Sequence, residues 1–148
     1  MSHRHILLVE DDPQCARLGM LVLEKIHPGI RVDHVSDGVQ ALEYLEGRGE
    51  YAGRAPQPPA VVLLDLKMPR LDGFGVLERL QALPEHRLQR VIVLSSSAHE
   101  CDVQRAYELG ASGYVVKNID FDLFRSSLQA IWDFWGVVNL PPSALASS

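Results

Sequence analysis

The chain has little of what marks several large classes of protein. Only two cysteines occur among 148 residues. Cys15 and Cys101 stand on different predicted helices without metal-ligand spacing, so we expect reduced thiols rather than a disulfide framework. No apolar run approaches the roughly 20 residues that span a membrane. The four apolar residues after the N-terminus are too few for a signal-peptide core. These absences predict a cytoplasmic protein.

An excess of positive charge is also missing. The 14 basic and 19 acidic side chains give a net charge of −5, which does not support direct DNA binding, because DNA-binding domains usually carry a basic patch. Hydrophobic residues make up 47% of the chain and charged residues 22%, as in folded domains with a core. We expect one domain over residues 4–136 and a short tail over 137–148, with no output domain.

Strand-like and helix-like segments alternate five times, which is typical of a parallel α/β sheet. The predicted strands are 5–9, 31–35, 60–64, 90–94 and 113–116. The predicted helices are 13–26, 37–47, 73–83, 99–109 and 120–136. Asp12 and Asp37 suit helix starts, and Gly110 suits a helix end. The Gly- and Pro-rich segment 47–59 predicts an exposed loop that is either decoration or a binding surface.

Polar side chains follow four of the predicted strands. The run 61–64 leads into Asp65, and the run 6–9 leads into the acidic triplet 10–12. The run 91–94 leads into three serines, and the run 114–116 leads into Lys117. Because the carboxyl ends of parallel strands meet at one edge of a sheet, we expect acids, a hydroxyl and an ammonium group to converge there.

Four sequence blocks occur in an order and spacing that match a known family. They are Glu10-Asp11-Asp12-Pro13, Asp65-Leu66-Lys67-Met68-Pro69-Arg70-Leu71-Asp72-Gly73, Ser95-Ser96-Ser97-Ala98 and Gly113-Tyr114-Val115-Val116-Lys117. With these blocks the chain resembles the receiver domain of two-component response regulators over about residues 4–136. One block alone would be weak evidence, whereas four in order at strand ends are specific. The resemblance implies a doubly wound, flavodoxin-like α/β fold with a five-stranded parallel sheet in the order 2-1-3-4-5.

The resemblance implies that Asp65 accepts a phosphoryl group from a sensor histidine kinase. It also implies a bound Mg²⁺ or Mn²⁺ ion, since hard cations take oxygen ligands. The implied ligands are Asp11, Asp65 and the backbone carbonyl of Lys67, with Glu10 acting through a water molecule. Asp12 is interpreted as a helix cap rather than a ligand.

Further roles follow from the same resemblance. Lys117 and Ser95 would contact the phosphoryl oxygens and stabilise their charge. Tyr114 holds the position of a switch aromatic that couples the site to the surface of the fourth and fifth helices. Lys67 and Ser97 occupy positions that tune the lifetime of the phosphoryl group. Asp72-Gly73 is interpreted as turn chemistry.

The last predicted helix has a wider apolar arc than one sheet face needs. One helical face carries a core stripe, formed by Phe124, Leu128, Ile131, Trp135 and Val138. Phe121, Trp132 and Phe134 flank that stripe and are candidates for a dimer interface. We expect a homodimer through the fifth helix and strand. The alternative is that the tail folds back and covers this arc.

The Phe- and Trp-containing end of the last predicted helix, with the Leu-Pro tail after it, resembles that of stand-alone regulators that partner phytochrome histidine kinases. A different sensor kinase as the upstream partner is an open alternative. The downstream protein, which the chain would reach by direct contact, is unknown. Two departures from the family pattern occur. Asn118 stands where proline usually follows the site lysine, so we expect a trans peptide bond before it. Ser95 replaces the commoner threonine.

Four other functions fit parts of the pattern. A phosphatase of the haloacid dehalogenase type needs a second acid at the position that Lys67 occupies. A flavodoxin-like cofactor binder needs a phosphate-binding loop at the acidic residues 10–12. A receiver-fold module that signals by contact without phosphorylation stays open, as does a phosphorelay intermediate. The predicted role is that of a phosphoacceptor signalling protein rather than an enzyme.

Overall fold

A five-stranded parallel sheet organises the computed structural model, which describes residues 5–53, 58–117 and 120–134. The strands are β1 (His5–Val9), β2 (Arg31–Val35), β3 (Val61–Leu64), β4 (Val91–Ser95) and β5 (Gly113–Val116). The helices are α1 (Pro13–Ile26), α2 (Gly38–Glu46), α3 (Gly73–Ala82), α4 (Glu100–Glu108) and α5 (Phe121–Ile131). The strand order is β2-β1-β3-β4-β5, and all neighbours are parallel. The predicted fold class is therefore confirmed.

The sheet separates two hydrophobic cores. Alternate residues of β1 point to opposite faces, so that Leu7 and Val9 join one core while Ile6 and Leu8 join the other. The first core packs α2, α3 and α4 on one face of the sheet. The second packs α1 and α5 on the other face. Strand β3 is at most 1% exposed throughout, as expected of a central strand covered on both faces.

Aspartate side chains cap the starts of helices at the edge where the strands end. Asp12 accepts hydrogen bonds from the first turn of α1, and Pro13 follows it at the first helical position. Asp37 accepts a hydrogen bond from the backbone N–H of Gln40 in α2. Gly110, with a φ of 101°, follows the end of α4. These residues confirm the predicted starts of α1 and α2 and the predicted end of α4 to within one residue.

The described part of the segment between α2 and β3 is mostly exposed, as its composition predicts, except near Tyr51 and Pro59. It includes a short 3₁₀ helix, Gly49–Tyr51. The Tyr51 ring packs edge-on against Tyr44, with ring centroids 5.2 Å apart, and borders the first core. Pro59, two residues before β3, is buried. The prediction of an exposed loop is therefore confirmed for most of the described residues of the segment, but it is wrong for Pro59.

The fifth helix requires a second correction. Trp132 is only 6% exposed and belongs to the core between the sheet, α1 and α5. Its ring lies 5.4 Å from that of His27, at the end of α1. The prediction that Trp132 lies on an exposed dimer surface is wrong, because the end of α1 covers it. Phe121 and Phe134 are 42% and 52% exposed.

The remaining parts of the C-terminal predictions lie outside the described residues. These are Trp135 and Val138 on the core stripe, the tail 137–148 and the peptide bond before Asn118. Among the helices of the described ranges, none combines the length and apolarity needed to cross a membrane.

Candidate metal and phosphoacceptor site

Three carboxylates meet where β1 and β3 end. One carboxylate oxygen each from Glu10, Asp11 and Asp65 lies within 4.8 Å of the other two. The strands place them there, because Val9 pairs with Leu64 and the Asp65 N–H donates to the Val9 carbonyl at 3.1 Å. A set of oxygen ligands from carboxylates suits a hard divalent cation such as Mg²⁺ or Mn²⁺. The residues present therefore fit the metal that the sequence pattern implies.

Lys117 brings a positive charge to this acidic group. Its backbone N–H donates to the Ser95 carbonyl at 2.7 Å, which fixes the end of β5 against β4. The ammonium group forms an ion pair with Glu10 and lies 3.5 Å from Asp65 Oδ2. The sequence prediction that these strand-end groups converge is thus confirmed for Glu10, Asp11, Asp65 and Lys117.

Burial and charge perturb two of these groups. Burial raises the pKa of Glu10, and the nearby Asp65 charge adds to this, while Lys117 opposes it. Burial alone would lower the pKa of Lys117, but the hydrogen bond to Glu10 and the two negative charges raise it above its ordinary value. Lys117 therefore stays cationic at neutral pH, as a group that stabilises developing negative charge must.

Ser95, Ser97 and Tyr114 form a connected group beside the carboxylates. Ser95 is 1% exposed, and its hydroxyl oxygen accepts the N–H of Ser97 at 3.2 Å. The Tyr114 hydroxyl donates to the Ser97 carbonyl at 2.8 Å, and the Ser97 hydroxyl donates to Asp102 Oδ2 at 2.7 Å. These bonds link β4, β5 and the first turn of α4. The Ser97 hydroxyl, predicted to tune phosphoryl lifetime, is thus bonded to α4 here.

The segment after Asp65 carries the remaining predicted residues. The backbone N–H of Lys67 donates to Asp65 Oδ1 at 3.4 Å, while Lys67 itself is exposed. Asp72 accepts the N–H of Gly75 at 2.9 Å and caps α3. Its interpretation as turn chemistry is therefore confirmed, as is the interpretation of Asp12 as a cap.

Two contacts near the site were not predicted from the sequence. Arg70 forms an ion pair with Asp37 at 2.9 Å, although 33 positions separate them. His34 Nε2 lies 2.8 Å from the backbone carbonyl oxygen of Glu10, at the end of β2. The local sequence around Asp37 indicates only a helix cap. Nothing in the local pattern indicates these contacts, because each joins residues on different elements.

The family assignment rests on this geometry together with sequence similarity. A family model of the response regulator receiver domain matches residues 6–129. The chain belongs to the response regulator receiver family. It is a two-component signalling domain of the kind that binds a divalent metal and works with a histidine kinase. Proteins of this family are generally classed as signalling proteins.

Two relatives of this receiver domain cover most of its length. It is 33% identical over 137 residues to the probable methanogenesis regulatory protein FilR2 of Methanothrix harundinacea, covering 93% of this chain and 86% of that protein. It is 37% identical over 142 residues to the response regulator Rcp1 of Synechocystis sp., covering 92% of each.

Solved structures of similar receivers agree with the fold. The phosphorylated cyanobacterial phytochrome response regulator RcpA superimposes with a TM-score of 0.87 at 33% identity, covering 95% of this chain and 99% of that one. The Mn²⁺-bound form of Rcp1 gives a TM-score of 0.84 at 32% identity, covering 94% and 99%. The chain is thus homologous to phytochrome response regulators.

Proposed function

We propose that this receiver accepts a phosphoryl group on Asp65 from a sensor histidine kinase. The observation that carries the proposal is the grouping of Asp65 with two further carboxylates and the Lys117 ammonium at one sheet edge. A nucleophilic carboxylate needs nearby positive charge before it can approach an anionic phosphoryl group. Lys117 supplies part of that charge, and a cation held by the acids would supply the rest.

The proposed transfer forms one bond and breaks another at phosphorus. A carboxylate oxygen of Asp65 forms a bond to phosphorus, and the bond from phosphorus to the donor imidazole nitrogen breaks. The electron pair of the broken bond stays on that nitrogen, and a proton already carried by the other ring nitrogen of the donor lets the imidazole leave as a neutral group. Lys117 and Ser95 then hold the phosphoryl oxygens by charge and by hydrogen bonding.

The proposed metal is Mg²⁺, with Mn²⁺ as a substitute. Asp11, Asp65 and the backbone carbonyl of Lys67 would hold it directly, and Glu10 through a water molecule. When bound, the cation neutralises charge on the phosphoryl oxygens and orients them toward Asp65. The all-oxygen character of the acidic group supports this choice of metal.

The proposed output is a change in protein contact. Hydrogen bonds join Ser95 to Ser97 and Ser97 to Tyr114. A movement of the Ser95 hydroxyl toward the phosphoryl group would therefore alter the contacts of β5 and α4. Lys67, exposed beside Asp65, is proposed to alter the attack of water on the phosphoryl group.

The proposed partners are a phytochrome histidine kinase, a second copy of the chain and a downstream protein of unknown identity. Similarity to RcpA, a cyanobacterial phytochrome response regulator, supports the first. Exposed apolar side chains on α5 and β5, including Phe121 and Val116, support the second. The cytoplasm is the proposed location, and direct DNA or membrane binding is not part of the proposal.

Intact-mass spectrometry with acetyl phosphate tests the acceptor proposal. With Mg²⁺ present, we expect one phosphoryl adduct on the native protein and none on Asp65→Asn, whose amide is a poor nucleophile. Chelation of the metal should abolish the adduct. Asp72→Asn is a matched control, because it retains a capping side chain on α3 and should be phosphorylated normally.

Other outcomes would contradict the proposal in distinct ways. An adduct on Asp65→Asn would place the phosphoryl group on a different residue. A folded native protein that acquires no adduct from acetyl phosphate or from a histidine kinase would favour the module that signals by contact alone.

A further inference from the structure

The loop between β3 and α3 contains a tight turn centred on Arg70. The N–H of Leu71 donates to the Pro69 carbonyl at 2.8 Å, so the turn closes over three residues. Arg70 has a φ of 66° and is the one non-glycine residue with positive φ in the described ranges. This left-handed backbone is unfavourable for a long side chain. Contacts from outside the turn must therefore hold it in place.

Asp37 provides such a contact from the start of α2. Arg70 Nε donates to Asp37 Oδ2 at 2.9 Å, and Arg70 Nη2 donates to Oδ1 at 3.1 Å. Two parallel bonds fix the orientation of a guanidinium group as well as its distance. The carboxylate is itself held, since Asp37 is 7% exposed and accepts the N–H of Gln40 at 2.8 Å. Asp37 is therefore a rigid anchor for the turn.

A backbone contact seats the same turn on α2. The Gly38 N–H donates to the Leu71 carbonyl at 3.1 Å. A Cβ atom at position 38 would overlap that carbonyl oxygen, so the close approach requires glycine there. The turn thus rests on the first residues of α2 at two neighbouring points, Asp37 and Gly38.

We propose that Arg70 and Asp37 are a positioning pair for the divalent-cation site. The turn that they hold lies in the loop that follows Asp65, two residues after Lys67, whose N–H contacts Asp65 Oδ1. The Lys67 carbonyl is a ligand in the proposed function, on which this inference rests. Because the turn is already fixed, metal binding does not have to order this loop, and the free-energy cost of ordering it is avoided. The pair therefore raises the affinity for the metal.

Mn²⁺ binding, followed by electron paramagnetic resonance, tests the pair. Arg70→Ala keeps the strained backbone but removes the two bonds, so we expect about a 10-fold loss of affinity. Arg70→Lys keeps one charged contact and should recover part of the loss. Arg70→Gly should also recover part, because glycine adopts positive φ without strain.

The partner residue and the kinetics supply independent checks. Asp37→Asn retains a capping oxygen and should weaken Mn²⁺ binding as Arg70→Ala does. The double variant should lose no more Mn²⁺ affinity than either single variant, because all three variants remove the same ion pair. At saturating Mg²⁺ the rate of phosphorylation by acetyl phosphate should be unchanged in Arg70→Ala, while the Mg²⁺ concentration for half-maximal rate rises.

Arg31→Ala is the matched control. It removes an exposed arginine–aspartate ion pair of 3.0 Å at the far end of β2, and it should bind Mn²⁺ as the native protein does. Thermal melting verifies that each variant is folded. An affinity in Arg70→Ala equal to that of Arg31→Ala, or additive losses in the double variant, would overturn the positioning role.

Failure of the proposed metal site itself gives a different result. If the native protein does not bind Mn²⁺, or if Asp11→Asn binds it equally well, the site is wrong and the positioning role falls with it. If Asp11→Asn loses binding and Arg70→Ala does not, only the positioning role is wrong.

Discussion

At the residue scale, the site depends on the ammonium group of Lys117, which lies among carboxylates. The Lys117 side chain is 21% exposed and contacts both Glu10 and Asp65. Removing the Lys117 side chain would leave Glu10 buried beside another carboxylate. The pKa of Glu10 would then rise further. The Asp65 carboxylate would also face an incoming phosphoryl group without its ammonium neighbour. Lys117 is therefore expected to affect reactivity more than any exposed basic residue.

Lys117→Ala tests this expectation. We predict a phosphorylation rate with acetyl phosphate about 10²-fold lower, because a positioned group that stabilises developing charge commonly contributes that much. Quenched time points read by intact mass give the rate. Lys25→Ala, at the exposed end of α1, serves as the control and should react normally. A Lys117→Ala rate close to that of the control would remove Lys117 from the mechanism.

At the element scale, most of the fold could be predicted from the chain. The strands are continuous apolar runs followed by polar residues, and each lies within a residue of its predicted position. Burying one such side chain stabilises the folded protein by about 1.5–3 kcal/mol. The apolar runs are therefore expected to lie in the interior of the sheet. Because Asp65 and Lys117 directly follow strands, their convergence could be predicted as well.

Contacts between distant elements could not be predicted in this way. The helical period places Trp132 at the flank of its stripe, yet His27 at the end of α1 covers it. The ion pair between Arg70 and Asp37 joins two loops, and it depends on how β2 and β3 flank β1. Such pairings depend on packing across the sheet, which no local periodicity contains.

The link between β5 and α4 leads to a prediction at this scale. Tyr114→Phe removes the hydroxyl that bonds the Ser97 carbonyl but keeps the ring in place. We expect the free energy of unfolding to fall by about 0.5–1.5 kcal/mol, measured by urea denaturation. Tyr107→Phe, on the exposed side of α4, should change it little. Equal stabilities of the two variants would show that the Tyr114 hydroxyl does not support this link.

At the scale of the whole molecule, exposed apolar side chains on α5 and β5 support the proposed self-association. Phe121, Leu123 and Val116 are 42%, 54% and 43% exposed. Trp132 does not contribute to this surface because the core contains it. A contiguous exposed apolar patch usually marks an interface, and a symmetric dimer is the commonest way to cover one.

Light scattering coupled to size exclusion tests the dimer. We expect about twice the chain mass of 16.4 kDa at micromolar concentration, and a shift toward the monomer in Phe121→Ser. Leu88→Ser is the control, since Leu88 is 62% exposed in the segment before β4. A monomer mass for the native protein at every concentration would contradict the dimer without affecting the phosphoacceptor site.

The central proposal for this receiver is that Asp65 carries the phosphoryl group. Borohydride reduction of the phosphorylated protein, followed by peptide mapping, tests this claim directly, because an aspartyl phosphate is reduced to homoserine. We predict homoserine at position 65, dependent on prior incubation with acetyl phosphate and Mg²⁺. Homoserine at Asp11, or aspartate intact at position 65 in a protein shown to carry the adduct, would contradict the account.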